Sequence, residues 1–468
     1  MSIASGRTIR SIAVCAVAIA GTLGSSHIAH AQPLETALVQ AYQNNPSLNA
    51  QRAALRATDE GVGIALSGYR PRISATISQG ATGLELGSRG ANGVRNGEFS
   101  SLQPQTYGVT ATQTLYNGMQ TGNRTRQAES QVNAARETLR LTEQTILLNA
   151  ATAYMNVLRD TAILDLQRRN VEVLQEQLRQ TRDRFNVGEV TKTDVAQAES
   201  RVAAGRSQML QAESNLTTSR ATYRQVIGVD PGKLSPGTPV DRFSPKTLPG
   251  AVERGRVENP NVTAAALGVD VALLEVRINE GALYPTVTVT GGVQKQLDVS
   301  PAIPSQLTYS VLGTVSVPLY QGGGEYATIR QSKETLGQRR IDLDTQRDAA
   351  QQSVVQSWGQ LEAAKAQIIA TQAQVNAAET ALNGVREEAR VGQRTTLDVL
   401  NAQQELVNAR VSLVTAQRDR VVASYSLLAA TGRLSITALG LKTQVYDPMT
   451  HYQQVRDSWF GVRTPDGR

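Results

Sequence analysis

Cysteine, histidine and aromatic side chains are the scarce residues of this sequence. Its 468 residues include one cysteine, three histidines and only 4% aromatics, against 40% hydrophobic residues overall. Cys15, His27 and His30 all fall within residues 1–31. That stretch reads as a secretory signal, with Arg7 and Arg10, an apolar run from Ile12 to Ala20, and the small-residue site Ala29-His30-Ala31. Cleavage after Ala31 leaves 437 residues with no cysteine and only His451. Thiol chemistry, disulfides, Cys/His zinc sites and histidine acid-base catalysis are thereby excluded, and no cysteine remains for an N-terminal lipid anchor. Losing two arginines lowers the formal charge from +7 to +5, too mild for non-specific nucleic-acid binding. No run of eighteen apolar residues follows Ala31, so no inner-membrane helix is predicted.

What the sequence does contain is a duplication. The stretch LETALVQAYQNNPSLNAQRAALRATDEGVGIALSGYRPRISATI from Leu34 resembles LPGAVERGRVENPNVTAAALGVDVALLEVRINEGALYPTVTVT from Leu248. Pro46 and Pro71 match Pro260 and Pro285 at an offset of 214. Leu115-Tyr116-Asn117-Gly118 matches Leu319-Tyr320-Gln321-Gly322, and the stretch from Val187-Gly188 to Asp194 matches that from Val391-Gly392 to Asp398, all at an offset of 204. The difference arises between Pro71 and Leu115, where the first copy carries the long loop GATGLELGSRGANGVRNGEFSS and the second only DVSPAIPS. The domains so defined are a first copy over 32–228, a proline-rich connector over 229–250, a second copy over 251–432 and a polar tail without strong period over 433–468.

Within each copy the period changes from helix to strand and back. Alternation predicts strands over about 72–79, 105–115, 286–296 and 307–318. Val287, Val289 and Val293 alternate with Thr288 and Thr290, and Ile73, Ala75 and Ile77 with Ser74, Thr76 and Ser78. Ten residues reach ~33 Å, enough to cross a bilayer. Between the strand pairs the apolar positions Val132, Ala135, Leu139, Ile146, Ala150, Ala153, Val157, Leu164, Val171, Leu174, Leu178 and Phe185 recur at intervals of three, four or seven, the heptad signature. Long helices are predicted over about 118–186 and 325–390, each followed by a shorter one over about 193–227 and 397–430. Seams of Ala, Val and Leu have no room for rings, which accounts for the few aromatics.

Four membrane-length strands cannot close a barrel, and an open edge in lipid leaves backbone groups unpaired at several kcal/mol each. Closure must come from neighbouring chains. The same alternation also fits a small sheet beside soluble helices, and a non-conducting coiled-coil protein that braces the envelope is the competing function. The Asn-Pro helices, the Tyr-Arg-Pro and Leu-Tyr-Pro steps, SVPLYQGGG, and the paired RFNVGEVTKTDV and EARVGQRTTLDVLNAQQELVNAR resemble the TolC family of outer-membrane efflux and secretion ducts over residues 34–435. The resemblance implies a mainly α protein with a membrane β-barrel portion. It also implies a homotrimer, each chain giving four strands to one shared twelve-stranded barrel, above a coiled-coil α-barrel that crosses the periplasm. It further implies a periplasmic adaptor and an inner-membrane pump of RND or ABC type as partners, with outer-membrane lipid around the barrel. No cofactor, metal or catalytic site is expected.

The tips of the rods carry the candidate site residues. Gly188 and Gly392 sit where one helix must end before the next begins. Each turn is followed by Thr-x-x-Asp, ending in Asp194 and Asp398, which also fits a capping box. If three chains converge, Asp398 forms one ring and Asn401, a turn further on, a second; acidic rings favour cations. The resemblance places an entrance constriction at these positions, usually acidic in both rings, so Asn401 is a departure. It also matches Arg394, with Asp194 and Thr193, to a latch that holds the tip closed, whereas a tyrosine common in such links is Ala389 here. Gly118 and Gly322 read as strand-to-helix junctions in preference to a phosphate cradle. Tyr116 and Tyr320 fit either interfacial anchoring or core packing.

Overall fold

The computed structural model describes residues 32–89, 95–465 and 467, so the expected signal segment lies outside the described residues. The elements run α1 (Leu34–Asn44), α2 (Pro46–Leu66), β1 (Arg72–Gln79), β2 (Thr82–Arg89), β3 (Arg95–Leu102), β4 (Gln105–Asn117), α3 (Gln120–Asn186) and α4 (Lys192–Ile227). The second half continues as α5 (Leu248–Glu258), α6 (Pro260–Gly281), β5 (Thr286–Ser300), β6 (Ile303–Ser316), α7 (Gly324–Arg390), α8 (Thr396–Ala430) and α9 (Pro448–Val455). α3 and α7 each have 67 residues, about 100 Å at 1.5 Å per residue.

The four long strands form one antiparallel sheet in the order β1-β4-β5-β6. α2 leads into β1, β4 into α3, α6 into β5, and β6 towards α7. These helices pack in the same sequence, α2 on α3, α3 on α6 and α6 on α7, so the sheet is continued by a helical wall of matching order. Beyond the middle of the rods the pairing becomes α3 with α4 and α7 with α8, giving two antiparallel coiled coils.

The two Asn-Pro steps explain how this change of partner is held. Asn45 and Asn259 cap α2 and α6 through their side-chain oxygens, and proline at the first helical position has no N–H to leave unpaired. Their amide nitrogens donate to Val226 O at 2.8 Å and Ala430 O at 3.1 Å, the ends of the helices returning from the tips. Each asparagine therefore starts one helix and ties it to the end of another.

The main apolar core lies midway along the rods, where α1, α3, α4, α8 and the proline-rich connector meet. Tyr154 and Tyr223 are wholly buried there, with ring centroids 6.4 Å apart. The Tyr154 hydroxyl lies 2.6 Å from Gln32 O and 2.7 Å from Ser235 O, and burial pushes its pKa up to about 12.

One expectation needs correction. The stretch 80–101, read as a loop, contains most of the β2-β3 hairpin, joined to the main sheet where Gly80 N donates to Pro104 O at 2.9 Å. Its many glycines hide the alternation. The polar tail packs on the body of the protomer: Leu434 and Ile436 enter the main core, and α9 packs on α2. His451 Nδ1 lies 3.0 Å from Asp59 Oδ2, both side chains buried. Burial pushes the Asp59 carboxyl up, and His451 partly offsets this.

Candidate functional site

At the rod tips the local chemistry repeats. α3 and α7 end in left-handed glycines, Gly188 at φ 81° and Gly392 at φ 83°. Glu189 N and Gln393 N reach back to Arg184 O and Glu388 O, each at 2.9 Å, satisfying last-turn carbonyls. Thr191 and Thr395 then cap α4 and α8 in complete capping boxes with Asp194 and Asp398. Bonds from the Thr191 side chain and backbone hold the Asp194 carboxyl below the usual carboxylate range, and those from the Thr395 backbone and side chain do the same for Asp398. Each bond to the threonines uses one carboxylate oxygen, Oδ2.

The expected latch is not formed within the chain. Arg394 Nε donates to Glu388 Oε2 at 2.8 Å, across its own turn, while Asp194 is engaged by Thr191. Thr193 is exposed beside it. Asn401 has a partner within the chain: Arg201 Nη2 on α4 donates to its Oδ1 at 2.7 Å. One position earlier, Leu400 is buried against Leu174 and Val202, with Leu178 alongside. α8 is thus pinned to the α3-α4 coil by an apolar knob and an adjacent hydrogen bond. Sequence reasoning missed Arg201 and Leu400. Leu400 carries an apolar signal, but no local pattern points Arg201 to a partner 200 residues away.

At the other end the sheet has two unlike faces. The ladders place Ile73 opposite Ala111, Ala111 opposite Gly291, and Gly291 opposite Val311. Opposed residues share a face, so Ile73, Ala75, Ile77, Val109, Val287, Val289, Val293, Val311 and Val315 form one apolar surface. Ser74, Thr110, Thr112, Thr288, Thr290, Ser310 and Thr314 line the opposite one. The irregularity between Thr114 and Tyr116 brings Tyr116 into register with Val287 on the apolar side, and Tyr116 is 39% exposed. Tyr320, past the end of β6, is 77% exposed. Every residue of the edge strands β1 and β6 is exposed, and neither edge has a partner strand among the described residues.

The junctions below the strands differ between copies. Gly118, at φ 64°, backs onto Gly281, so closely that a Cβ on Gly118 would stand 2.1 Å from Gly281 O. A Cβ added at Gly322, at φ 76°, would meet nothing within 4 Å among the described residues. Met119 and Gly323 then both adopt left-handed conformations before α3 and α7, so the glycine triplet answers backbone shape. Among the described residues no group of acids, cysteines and histidines can hold a metal, and no helix is long and apolar enough to cross a membrane.

A sheet with one apolar and one hydroxyl-rich face, open at both edges and extended by a long helical wall, defines an exit duct of the outer membrane. The family model for outer membrane efflux protein matches residues 37–229 and 252–433, and the chain belongs to that family. It is 41% identical over 464 residues to the outer membrane efflux protein BepC of Brucella suis, covering 99% of each chain. It is 26% identical to the outer membrane protein TolC of Escherichia coli, covering 88% of this chain and 84% of that one. The crystal structure of the Campylobacter jejuni CmeC outer membrane channel superposes with a TM-score of 0.76 at 16% identity, covering 91% of this chain and 89% of that one. The protein is therefore an efflux or secretion duct of the outer membrane and not an enzyme.

Proposed function

We propose that three copies of this chain close a single duct that is shut at the helical tips and opened by an inner-membrane pump, of RND or ABC type, acting with a periplasmic adaptor. The observation that carries the reading is the pair of unpaired edges, β1 and β6, on a sheet whose one face is apolar. In lipid those edges must find each other. Members of this family work in tripartite systems with such adaptors and pumps, which supports the choice of partners.

The duplication supplies the register of that contact. Moving the within-copy pair Ile73 and Ala111 by the repeat offsets gives Val287 and Val315, which are indeed paired. The same shift applied to the between-copy pair Ala111 and Gly291 gives Val315 against Ile77 of the partner subunit. A chain carrying both Val315→Cys and Ile77→Cys should therefore run as a covalent trimer on denaturing gels after oxidation and as a monomer after reduction. Either single variant should remain monomeric under the same denaturing conditions. The one native cysteine, Cys15, falls in the segment expected to be removed. A ladder that stops at dimer, or no cross-link, counts against the closed trimer.

At the tips, threefold repetition brings the Asp398 carboxylates to one axis, with Asn401 held back by Arg201. A ring of three fixed negative charges selects cations. Asp398→Asn should lower the cation-over-anion permeability ratio in planar bilayers severalfold; an unchanged reversal potential would remove Asp398 from the constriction. Arg394 stands on the exposed side of its turn, where a neighbouring tip offers Asp194 and Thr193 of the partner subunit. A link there exchanges its bond to Glu388 for one across the chain boundary and keeps the duct shut until partners engage.

A further inference from the structure

The C-terminal tail climbs towards the membrane. His451 meets Asp59 at 3.0 Å, and Val455 O lies 3.7 Å from the Cβ position of Gly63. Ser458 O accepts from Arg70 Nη1 at 2.6 Å, and the Arg70 guanidinium stands 4.6 Å from the centre of the Trp459 ring. Seven residues of tail thus advance alongside α2 and arrive two positions before the first residue of β1. There the chain stops burying apolar groups. Trp459 is 60% exposed, Phe460 91%, and Val462 fully so. Tyr69 and Tyr284, before β1 and β5, are exposed at the same level. Arg72 and Arg463 are exposed near them.

We infer that Trp459 and Phe460 are a membrane anchor seated in the phospholipid of the periplasmic leaflet. The patch lies beside Arg70, two positions before β1, at the helical end of the strands, which is the periplasmic side. An indole, apolar over its body with a polar N–H, suits the headgroup boundary beside flanking arginines, and the wholly apolar phenyl ring suits the acyl side of it. The tail supplies the contact, and the buried His451 and Asp59 pair fixes its path.

The inference rests on the sheet lying in the bilayer, and the test separates the two. Trp358→Phe leaves Trp459 as the sole tryptophan. Trp358 lies about 50 Å along α7 from its membrane end, far from lipid. In vesicles of phosphatidylcholine brominated high on the acyl chains, Trp459 emission should fall about twofold relative to unbrominated vesicles, as for interfacial indoles. Full-length protein carrying Trp358→Phe, Trp459→Phe and Val311→Trp reports on the strand face itself. Quenching at both positions supports the anchor. Quenching at position 311 with none at Trp459 overturns the anchor and leaves the membrane sheet standing, while quenching at neither overturns both.

Discussion

Gly118→Ala is expected to abolish assembly-competent protein, with a loss of about 4 kcal/mol or more, the range reached when a mutation meets immovable backbone. The added methyl would lie 2.1 Å from Gly281 O, and Gly281 is equally locked, since its own Cβ position is 2.6 Å from Gly118 O. Neither side can yield without separating β4 from the end of α6, which sets the β4-β5 ladder. The left-handed φ adds a further cost of about 1–2 kcal/mol. Thermal melts by circular dichroism and the yield of detergent-extracted protein give the readout. Gly188→Ala, at a tip with nothing within 4 Å, serves as the control and should lose only the backbone term. Gly322→Ala is the informative contrast. A Cβ there meets nothing within 4 Å among the described residues, but the repeat offset that pairs Gly118 with Gly281 pairs Gly322 with Ser67 of the partner subunit. That variant should fold as a protomer and fail at assembly. Near-normal melting of Gly118→Ala would show that the junction can relax.

Leu400→Ala combined with Arg201→Ala should raise single-channel conductance severalfold while the rods stay folded. Leu400 is 1% exposed, and emptying such a site costs about 2–5 kcal/mol in a closed core. At a rod tip that loss falls mainly on the contact between α8 and the α3-α4 coil, because α7 and α8 remain zipped by Leu382, Leu406 and Ala409 and by the Arg410 to Glu379 pair at 2.6 Å. The hydrogen bond from Arg201 to Asn401 is exposed and contributes about 0.5–1.5 kcal/mol, so the apolar knob is the larger share. Planar-bilayer recordings compare the double variant with each single one, and the order of conductances should follow the order of these energies. If the double variant conducts like the parent, the tip is held by contacts between chains and α8 is free to remain in place.

The duplicated order of elements was legible in the sequence because heptads, Asn-Pro steps and alternation are local patterns. Helix limits came within two residues, as α3 and α8 show. Contacts that join the copies were not legible. Asn401 reads as a ring residue from its spacing to Asp398, yet the side chain that engages it is on α4, and only folding brings it there. The same holds for His451, whose isolation in sequence suggests a residue without a role. Its partner is a buried carboxylate near the end of α2, and the tail around it lacks helical period because only one turn-length face touches the body. Of the two readings of Asp398, the cap is the one formed within the chain, through Oδ2.

The central ladder of the sheet also sets an order of events. β4 and β5 are neighbours, but Asn117 and Thr286 flank the entire first rod and its return. Closing so long a stretch into register is slow, whereas heptad hairpins form from nearby residues. The α3-α4 coil and the Asn45 tie can be complete before β5 has a partner. By that argument the β4-β5 ladder closes after the helical hairpins, and each protomer is expected to meet the bilayer as two finished struts carrying an unfinished sheet.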